Sequence, residues 1–293
     1  MRAPRALIPL LSVCAAAAVV AAAATGASIE GLPGGGGPAH ADGAAPRPAA
    51  VTVNAMTWSV CGAARSGCPL GTAPDALGRQ IVQRIQGTEV GGRKVRTDAV
   101  LLQDVCEGHV RTFRKSLPTW TWAFAASPGE ASCAKGQGRS GVAIGTAQRL
   151  DRPERAKLPA PAGRSRIALC ADVPSWTTRI CVTRLSAAEG ALRRKQATSL
   201  ATLAGTGRVL LGGDLAGTPD SAALDPLYRR FAECDQSGPS RTGAATRQNW
   251  AGAAVEKTDY LFITKAAAVS CSVPASRIRA SDHRPLSAVV RFP

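Results

Sequence analysis

The chain has 293 residues, of which 45% are hydrophobic, and its formal net charge is +16 at pH 7. Beyond the N-terminus no segment approaches the ~20 apolar residues of a membrane span, which excludes a chain that crosses a membrane repeatedly. The charge favours polyanionic partners such as nucleic acid, anionic lipid headgroups or cell-wall polymers, and a solvated basic surface is the alternative. Only 4% of the residues are aromatic, so base-stacking platforms are not a general feature of the surface.

The N-terminus has the pattern of a secretory signal. Two arginines near the start precede an alanine-rich apolar stretch over residues 6–24, and small residues follow it. We expect a signal peptide over residues 1–27, with cleavage after Ala27 or after Ala41. An uncleaved helix that tethers the chain to a membrane is the alternative. Residues 28–50 are rich in Gly, Pro and Ala and predict a flexible segment, not a domain.

Residues 51–293 predict a single domain in which strands and helices alternate irregularly. Apolar runs predict strands, in chain order, at 51–60, 99–102, 121–126, 141–144, 166–173, 178–185, 209–211, 260–264, 267–271 and 286–292. Helical spacing and capping residues predict helices at 74–86, 109–117, 186–203 and 221–232. The pattern includes at least one hairpin, and it favours a mixed α/β sandwich over a parallel doubly wound sheet.

Eight cysteines lie beyond the predicted signal, and an even number in an exported chain indicates disulfides. Eight cysteines allow 105 pairings, so the sequence alone does not fix them. We favour pairing between nearest neighbours, with Cys170 and Cys181 facing each other across the predicted hairpin. A zinc site is the alternative, but no CxxC pair exists, and residues 51–293 contain only His109 and His283.

Five short segments place polar side chains at the ends or starts of predicted strands. They are, in order, MTWSV (56–60), LLQDV (101–105), GGDLAGTP (212–219), KTDYLFIT (257–264) and SDHRPL (281–286). A site built from strand ends that are distant in sequence is a common way to gather carboxylates around a metal. The order of these segments resembles the endonuclease/exonuclease/phosphatase (DNase I-like) family of metal-dependent phosphoesterases.

The resemblance covers residues 51–293 and implies an α/β fold: a two-sheet β-sandwich flanked by helices, or four-layer sandwich, with the site at one end. It implies hydrolysis of phosphoesters with Mg²⁺, or with Mn²⁺ or Ca²⁺ in its place. Four residues match the family pattern. By resemblance, His283 is the catalytic base or a phosphate ligand, and Asp282 supports the metal side. Asp214 orients the attacking water, and Asp259 orients the site histidine.

Four other positions depart from the family pattern. Asp104 stands where a metal-binding glutamate is expected, and Ser59 replaces the asparagine that orients that acid; both are predicted metal ligands together with Asp282. Ala216 replaces an amide that would hold a phosphoryl oxygen. Arg184 replaces a histidine; it cannot transfer a proton at ordinary pH, but it can bind phosphate bidentately. A surface arginine at a strand end is the alternative for Arg184.

We therefore expect a secreted, monomeric, divalent-metal-dependent phosphodiester hydrolase that acts on DNA or RNA. The altered positions keep a second interpretation open, a polyanion-binding protein of the same fold that has lost catalysis. A third interpretation is the same chemistry on a phospholipid or a small phosphoester, which would favour an exposed apolar insertion.

Overall fold

The structure is a computed structural model that describes residues 48–63, 67–130, 132–161, 166–187, 190–236 and 238–293. These residues form fourteen strands and four helices. The predicted signal peptide and residues 28–47 of the predicted flexible segment lie outside these residues. The strands are β1 (Val51–Ser59), β2 (Thr88–Val90), β3 (Arg93–Val95), β4 (Ala99–Cys106), β5 (Thr121–Ala126), β6 (Ser140–Thr146), β7 (Asp151–Leu158), β8 (Arg166–Val173), β9 (Thr178–Arg184), β10 (Arg208–Asp214), β11 (Phe231–Glu233), β12 (Asp259–Thr264), β13 (Ala268–Ser272) and β14 (Leu286–Phe292). The helices are α1 (Pro74–Gln86), α2 (Glu107–Ser116), α3 (Gly190–Ala204) and α4 (Asp225–Arg230).

Two six-stranded sheets face each other and carry the helices on their outer sides. The first sheet has the order β13-β14-β1-β4-β6-β5, and the second has the order β11-β12-β10-β9-β8-β7. Apolar side chains from both sheets fill the space between them, α1 and α2 cover the first sheet, and α3 and α4 cover the second. This four-layer arrangement confirms the predicted sandwich. In the part of the chain that the structure describes, no helix is long and apolar enough to span a membrane.

Most predicted elements are present, but one predicted helix differs and strands β2, β3 and β7 were not predicted. The helix predicted over 221–232 is instead a short 3-10 turn, helix α4 and strand β11, because Phe231 leaves the helix to pair with Thr264 of β12. Strand β7 was not predicted, since its charged residues and Pro153 show no apolar alternation. β7 lies at an open edge of the second sheet, where such residues are tolerated.

Four disulfides join neighbouring cysteines along the chain, as predicted. The pairs are Cys61–Cys68, Cys106–Cys133, Cys170–Cys181 and Cys234–Cys271. The third pair lies across the β8–β9 hairpin, where its two residues are directly opposed. The fourth connects the end of β11 in the second sheet to β13 in the first, so it ties the two sheets together covalently.

The two sheets approach closely at Gly212 in β10. A Cβ atom added there would lie 2.9 Å from Leu261 Cδ2, 3.0 Å from Leu101 Cδ2 and 3.1 Å from Thr57 Cβ. Thr57 and Leu101 belong to the first sheet, so the absence of a side chain at position 212 is what lets the sheets meet. Asp214 follows two residues later, and this narrow part of the sandwich therefore lies beside the candidate site.

Candidate active site

Strand ends from the second sheet and the loop before β14 enclose one cavity of about 530 Å³. Arg184 ends β9 and Asp214 ends β10, and the two residues are paired in the parallel register of these strands. Asp282 and His283 enter from the loop that leads into β14 and line the same cavity. We call this space the site cavity. It brings together four of the residues that the sequence predicted as catalytic.

His283 and Asp259 form a buried pair at the site cavity. The Nδ1 atom of His283 lies 2.7 Å from Oδ2 of Asp259, whose side chain is fully buried. Burial opposes a charge on the imidazole, but the carboxylate of Asp259 outweighs it and, with Asp214 and Asp282, raises the pKa of His283 to about 9. The charged imidazole donates from Nδ1 to Asp259, so Nε2 is the ring nitrogen left for a substrate atom.

Hydrogen bonds from distant parts of the chain hold this pair in place. The hydroxyl of Thr246 accepts hydrogen bonds from the backbone N–H groups of Thr258 at 3.0 Å and Asp259 at 2.9 Å. On the histidine side, the hydroxyl of Ser281 accepts from the N–H of His283 at 3.0 Å and donates to the carbonyl of Ser59 at 2.7 Å. The loop is therefore anchored to the end of β1 in the first sheet, which fixes the orientation of the imidazole.

Asp214 is held by a strained turn at the end of β10. Its Oδ1 atom accepts a hydrogen bond of 3.1 Å from the N–H of Ala216, which has a φ of +52°. This is the left-handed region, where Asn and Gly are favoured over Ala. The family pattern places an amide side chain at position 216, and the backbone conformation fits that residue better than the alanine present.

Arg184 bridges two carboxylates that come from different sheets. Its Nε atom lies 3.2 Å from Oδ2 of Asp214, and its Nη1 atom lies 3.0 Å from Oδ1 of Asp104 in the first sheet. Burial opposes the charge of the guanidinium, but these two carboxylates raise the pKa of Arg184 above its ordinary value. Arg184 is thus a fixed cation at the base of the site cavity and not a surface arginine.

Asp104 lies on an irregularity of β4. The pairing of β4 with β6 shifts between Gln103 and Val105, and Asp104 itself has a φ of +52°. An aspartate tolerates this conformation better than the longer glutamate of the family pattern. Ser59 is buried, with 2% of its surface exposed, and it does not line the site cavity.

One of the predicted metal ligands, Asp104, already contacts a cationic side chain in this arrangement. A metal bound by Asp104, Ser59 and Asp282 would need the carboxylate of Asp104, but the guanidinium of Arg184 already lies against that group. A different buried group has the required geometry, because Asp214, Asp259 and His283 each offer a ligand atom within 4.8 Å of the others. Oδ2 of Asp259 bonds to His283 and Oδ2 of Asp214 bonds to Arg184, whereas Oδ1 of Asp259 is buried without a hydrogen-bond partner among the described residues. The metal assignment of the three predicted residues stays a prediction.

Sequence reasoning missed most of the basic residues of the site cavity. Arg166, Arg193 and Arg247 line it, and Arg247 forms an ion pair with Glu256 inside it. They lie on the β8 strand, the α3 helix and an irregular loop, and no motif marks them. The same loop supplies Gln248, a buried side chain whose amide donates to the carbonyls of Ile278 at 2.6 Å and Ser281 at 2.8 Å.

No family profile and no curated protein sequence matches the chain. Among solved structures, an endonuclease/exonuclease/phosphatase family protein from Bacteroides thetaiotaomicron superposes with a TM-score of 0.64 at 12% identity, covering 84% of this chain and 96% of its own. A mannosyl-6-phosphatase from the same species gives a TM-score of 0.61 at 11% identity, covering 82% and 100%. ANGEL2, a 2',3'-cyclic phosphatase in complex with adenosine-2',3'-vanadate, gives 0.56 at 11% identity, covering 83% and 96%. The chain therefore has the fold of the endonuclease/exonuclease/phosphatase family.

Proposed function

We propose that the chain is an exported phosphodiester hydrolase whose substrate is nucleic acid. The observation that carries the proposal is the site cavity, where the His283–Asp259 pair, the Asp214 carboxylate and the Arg184 guanidinium meet. Two neighbours of the same fold are phosphatases, which supports phosphoester chemistry at the equivalent end of the sandwich.

Hydrolysis of a phosphodiester needs an oriented water, a cation on the phosphoryl oxygens and a proton for the leaving oxygen. Asp214 accepts hydrogen bonds and can orient the water. Arg184 is a planar donor suited to phosphoryl oxygens. His283 has a pKa of about 9, so it is cationic at neutral pH and serves as a donor to the phosphoryl or leaving oxygen. Of the two roles implied for His283, phosphate ligand or base, this charge favours the first.

A second basic surface supports an extended polyanion as the substrate. Arg111, Arg114, Arg139 and Arg155 line a groove of about 550 Å³ together with Glu107, the first residue of α2. We call it the arginine groove. Its lining residue Glu107 follows Asp104 by three positions in the sequence, and all four arginines are exposed. A chain of phosphates longer than one nucleotide can use such charges for binding without reading sequence.

The lipid alternative has little support. Among the described residues, Val255 is the large hydrophobic side chain that is exposed, and a single residue does not form the apolar insertion that would engage a membrane surface. The polyanion-binding alternative is favoured by one observation, the alanine at position 216, which removes an amide donor from the site. Loss of such a donor can cost ~2.7–4 kcal/mol in the barrier.

Export is part of the proposal. The four disulfides support an oxidising compartment, and the predicted signal over residues 1–27 supplies the route. A cleaved signal gives a free enzyme, and a retained helix gives a surface-tethered one. Sequencing the N-terminus of the exported protein distinguishes the two outcomes.

The proposal is tested by incubating the exported protein, with its disulfides intact, with supercoiled plasmid and with RNA. Mg²⁺, the ion predicted from the sequence, is compared with Mn²⁺, Ca²⁺ and a chelator, and His283→Ala is assayed beside the wild type. We expect cleavage by the wild type and its loss in His283→Ala. Binding without cleavage under every condition would establish the polyanion-binding alternative instead.

The arginine groove gives a second readout. Arg111→Ala combined with Arg155→Ala should weaken binding of a long polynucleotide and reduce its salt dependence, because each phosphate contact contributes to the salt slope. Hydrolysis of a small phosphodiester, which cannot reach the groove, should stay unchanged. If the double variant lost activity equally on the long polynucleotide and on the small phosphodiester, the groove would be excluded as a binding surface.

A further inference from the structure

Arg184 occupies a position between the two sheets where its charge is shared by two acids. Asp214 is its neighbour in the second sheet, and Asp104 reaches it from the first sheet, with contacts of 3.2 Å and 3.0 Å. The acid that the family pattern assigns to the metal is therefore already neutralised by a side chain of the same protein.

The guanidinium keeps a donor for a ligand. Its two ion pairs use Nε and Nη1, and neither uses Nη2. The side chain is 24% exposed and lines the site cavity, so a ligand in the cavity can reach it. A guanidinium presents its donors in one plane, which matches the oxygens of a phosphoryl group.

The charge balance of the site cavity also favours binding of an anion. Four arginines line it, against the three carboxylates of Asp214, Glu256 and Asp282. A divalent cation needs carboxylate oxygens that are free to bind it, and Mg²⁺ commonly uses one or two carboxylates together with waters. Asp104 and Asp214 share the charge of Arg184, and Glu256 pairs with Arg247, so arginines already balance these carboxylates.

We propose that Arg184 is the fixed cation of this site, that it binds a phosphoryl oxygen directly, and that phosphate binding by this protein needs no divalent metal. The inference rests on the proposed function, since it names the group that takes the phosphoryl charge. It departs from the metal dependence that the family resemblance implies.

The first test measures binding of inorganic phosphate by calorimetry in the presence of a chelator. We expect the wild type to bind, and Arg184→Met to weaken binding by at least about tenfold, since a charge-assisted contact is lost. Arg184→Lys should fall between the two, because lysine keeps the charge but loses the planar donor set. Arg194→Met is the matched control. Arg194 pairs with Asp225 on the outer helices, and its loss should change binding by less than about twofold.

The second test titrates Mn²⁺ into the same proteins without phosphate. We expect no stoichiometric binding by the wild type and the appearance of one Mn²⁺ site in Arg184→Met, where two carboxylates face each other without the guanidinium. Adding Asp104→Asn to Arg184→Met should abolish that site. Thermal unfolding measures whether each variant is folded. If Arg184→Met is not folded, Arg184→Lys replaces it in the titration.

Two results would overturn the inference. One is a wild-type Mn²⁺ or Mg²⁺ site that Asp104→Asn removes, and the other is wild-type phosphate binding that disappears in the chelator. Neither depends on turnover. Metal-dependent cleavage combined with phosphate binding that disappears in the chelator would leave the proposed hydrolase standing and remove the role of Arg184, whereas phosphate binding in the chelator without cleavage in any condition would do the reverse.

Discussion

The indole Nε1 of Trp58 donates a hydrogen bond of 2.9 Å to the backbone carbonyl of His283, 225 residues later in the chain. Trp58 is fully buried in β1, in the core between the first sheet and its helices. The bond therefore fixes the backbone of the site histidine to a buried side chain of the first sheet. The tryptophan of the MTWSV segment thus supports the site by a hydrogen bond to the backbone and not as a ligand-binding side chain.

Trp58→Phe should destabilise the protein by about 2 kcal/mol, because the carbonyl of His283 would be buried without its donor. It should also lower turnover, since the imidazole would lose its backbone anchor. Trp122→Phe is the control, as the indole Nε1 of Trp122 is buried and meets no partner among the described residues. Urea unfolding and plasmid cleavage measure both effects. Equal losses in the two variants would show that ring packing, not the hydrogen bond, is responsible.

Ala216→Asn should raise both stability and hydrolysis. The φ of +52° suits Asn better than Ala, which we expect to contribute about 0.5–1 kcal/mol, and the amide restores a donor that faces the phosphoryl group, worth about tenfold or more in rate. Ala216→Gly relieves the backbone without adding the amide, so it should raise stability alone. A rate increase of similar size in Ala216→Gly would contradict the role assigned to the amide.

The His283–Asp259 pair predicts a loss of stability at alkaline pH. The pKa of His283 rises from 6.5 to about 9 on folding, because the Asp259 carboxylate outweighs the burial of the imidazole. The folded protein therefore holds the proton more tightly, and the contribution is complete below pH 6.5 and disappears as the pH rises through about 9. Urea unfolding at pH 6 and pH 10 should show the wild type losing about 3 kcal/mol relative to His283→Gln. A difference that does not change with pH would mean that the imidazole is neutral.

His109 predicts the opposite dependence at acid pH. Burial lowers the pKa of His109 from 6.5 to about 4, so the unfolded state binds the proton more tightly. Its contribution is present above pH 6.5 and is lost as the pH falls towards about 4. His109→Gln should therefore be less sensitive to pH between these limits than the wild type, by about 3 kcal/mol in unfolding free energy. An identical acid response of the two proteins would contradict a buried neutral imidazole.

The disulfides should contribute to stability in the order of the loops they close. Cys234–Cys271 spans 37 residues and Cys61–Cys68 spans 7, which gives about 4 and about 2 kcal/mol from the restriction of the unfolded chain. Replacing each pair by alanine and measuring thermal unfolding tests the order. A larger effect of the short loop would indicate that native-state contacts, and not loop length, set the contribution.

Apolar runs and polar strand ends predicted the individual elements because they report on local burial, whereas the two-sheet arrangement was implied by the family resemblance. Asp214 and His283 each follow or precede such a run, and Cys170 and Cys181 pair across a hairpin that local patterns predict. β7 escaped prediction because an edge strand needs no apolar face. The contact between Arg184 and Asp104 also escaped, since it joins residues 80 positions apart in different sheets and no local pattern records it. The loop that carries Thr246 and Gln248 has no periodicity, although it holds both halves of the His283–Asp259 pair.

The close approach of the sheets at Gly212 has a consequence for how ligands are admitted. A methyl group does not fit there, because Thr57, Leu101 and Leu261 lie too close, so the two layers are tightly packed beside the site. Hydrogen exchange should accordingly be slowest in β10 and respond to ligand in the loops at the rim. Ligand entry and ligand selectivity then depend on segments such as 215–221 and 246–256. These segments can change in sequence while the scaffold beneath them stays the same.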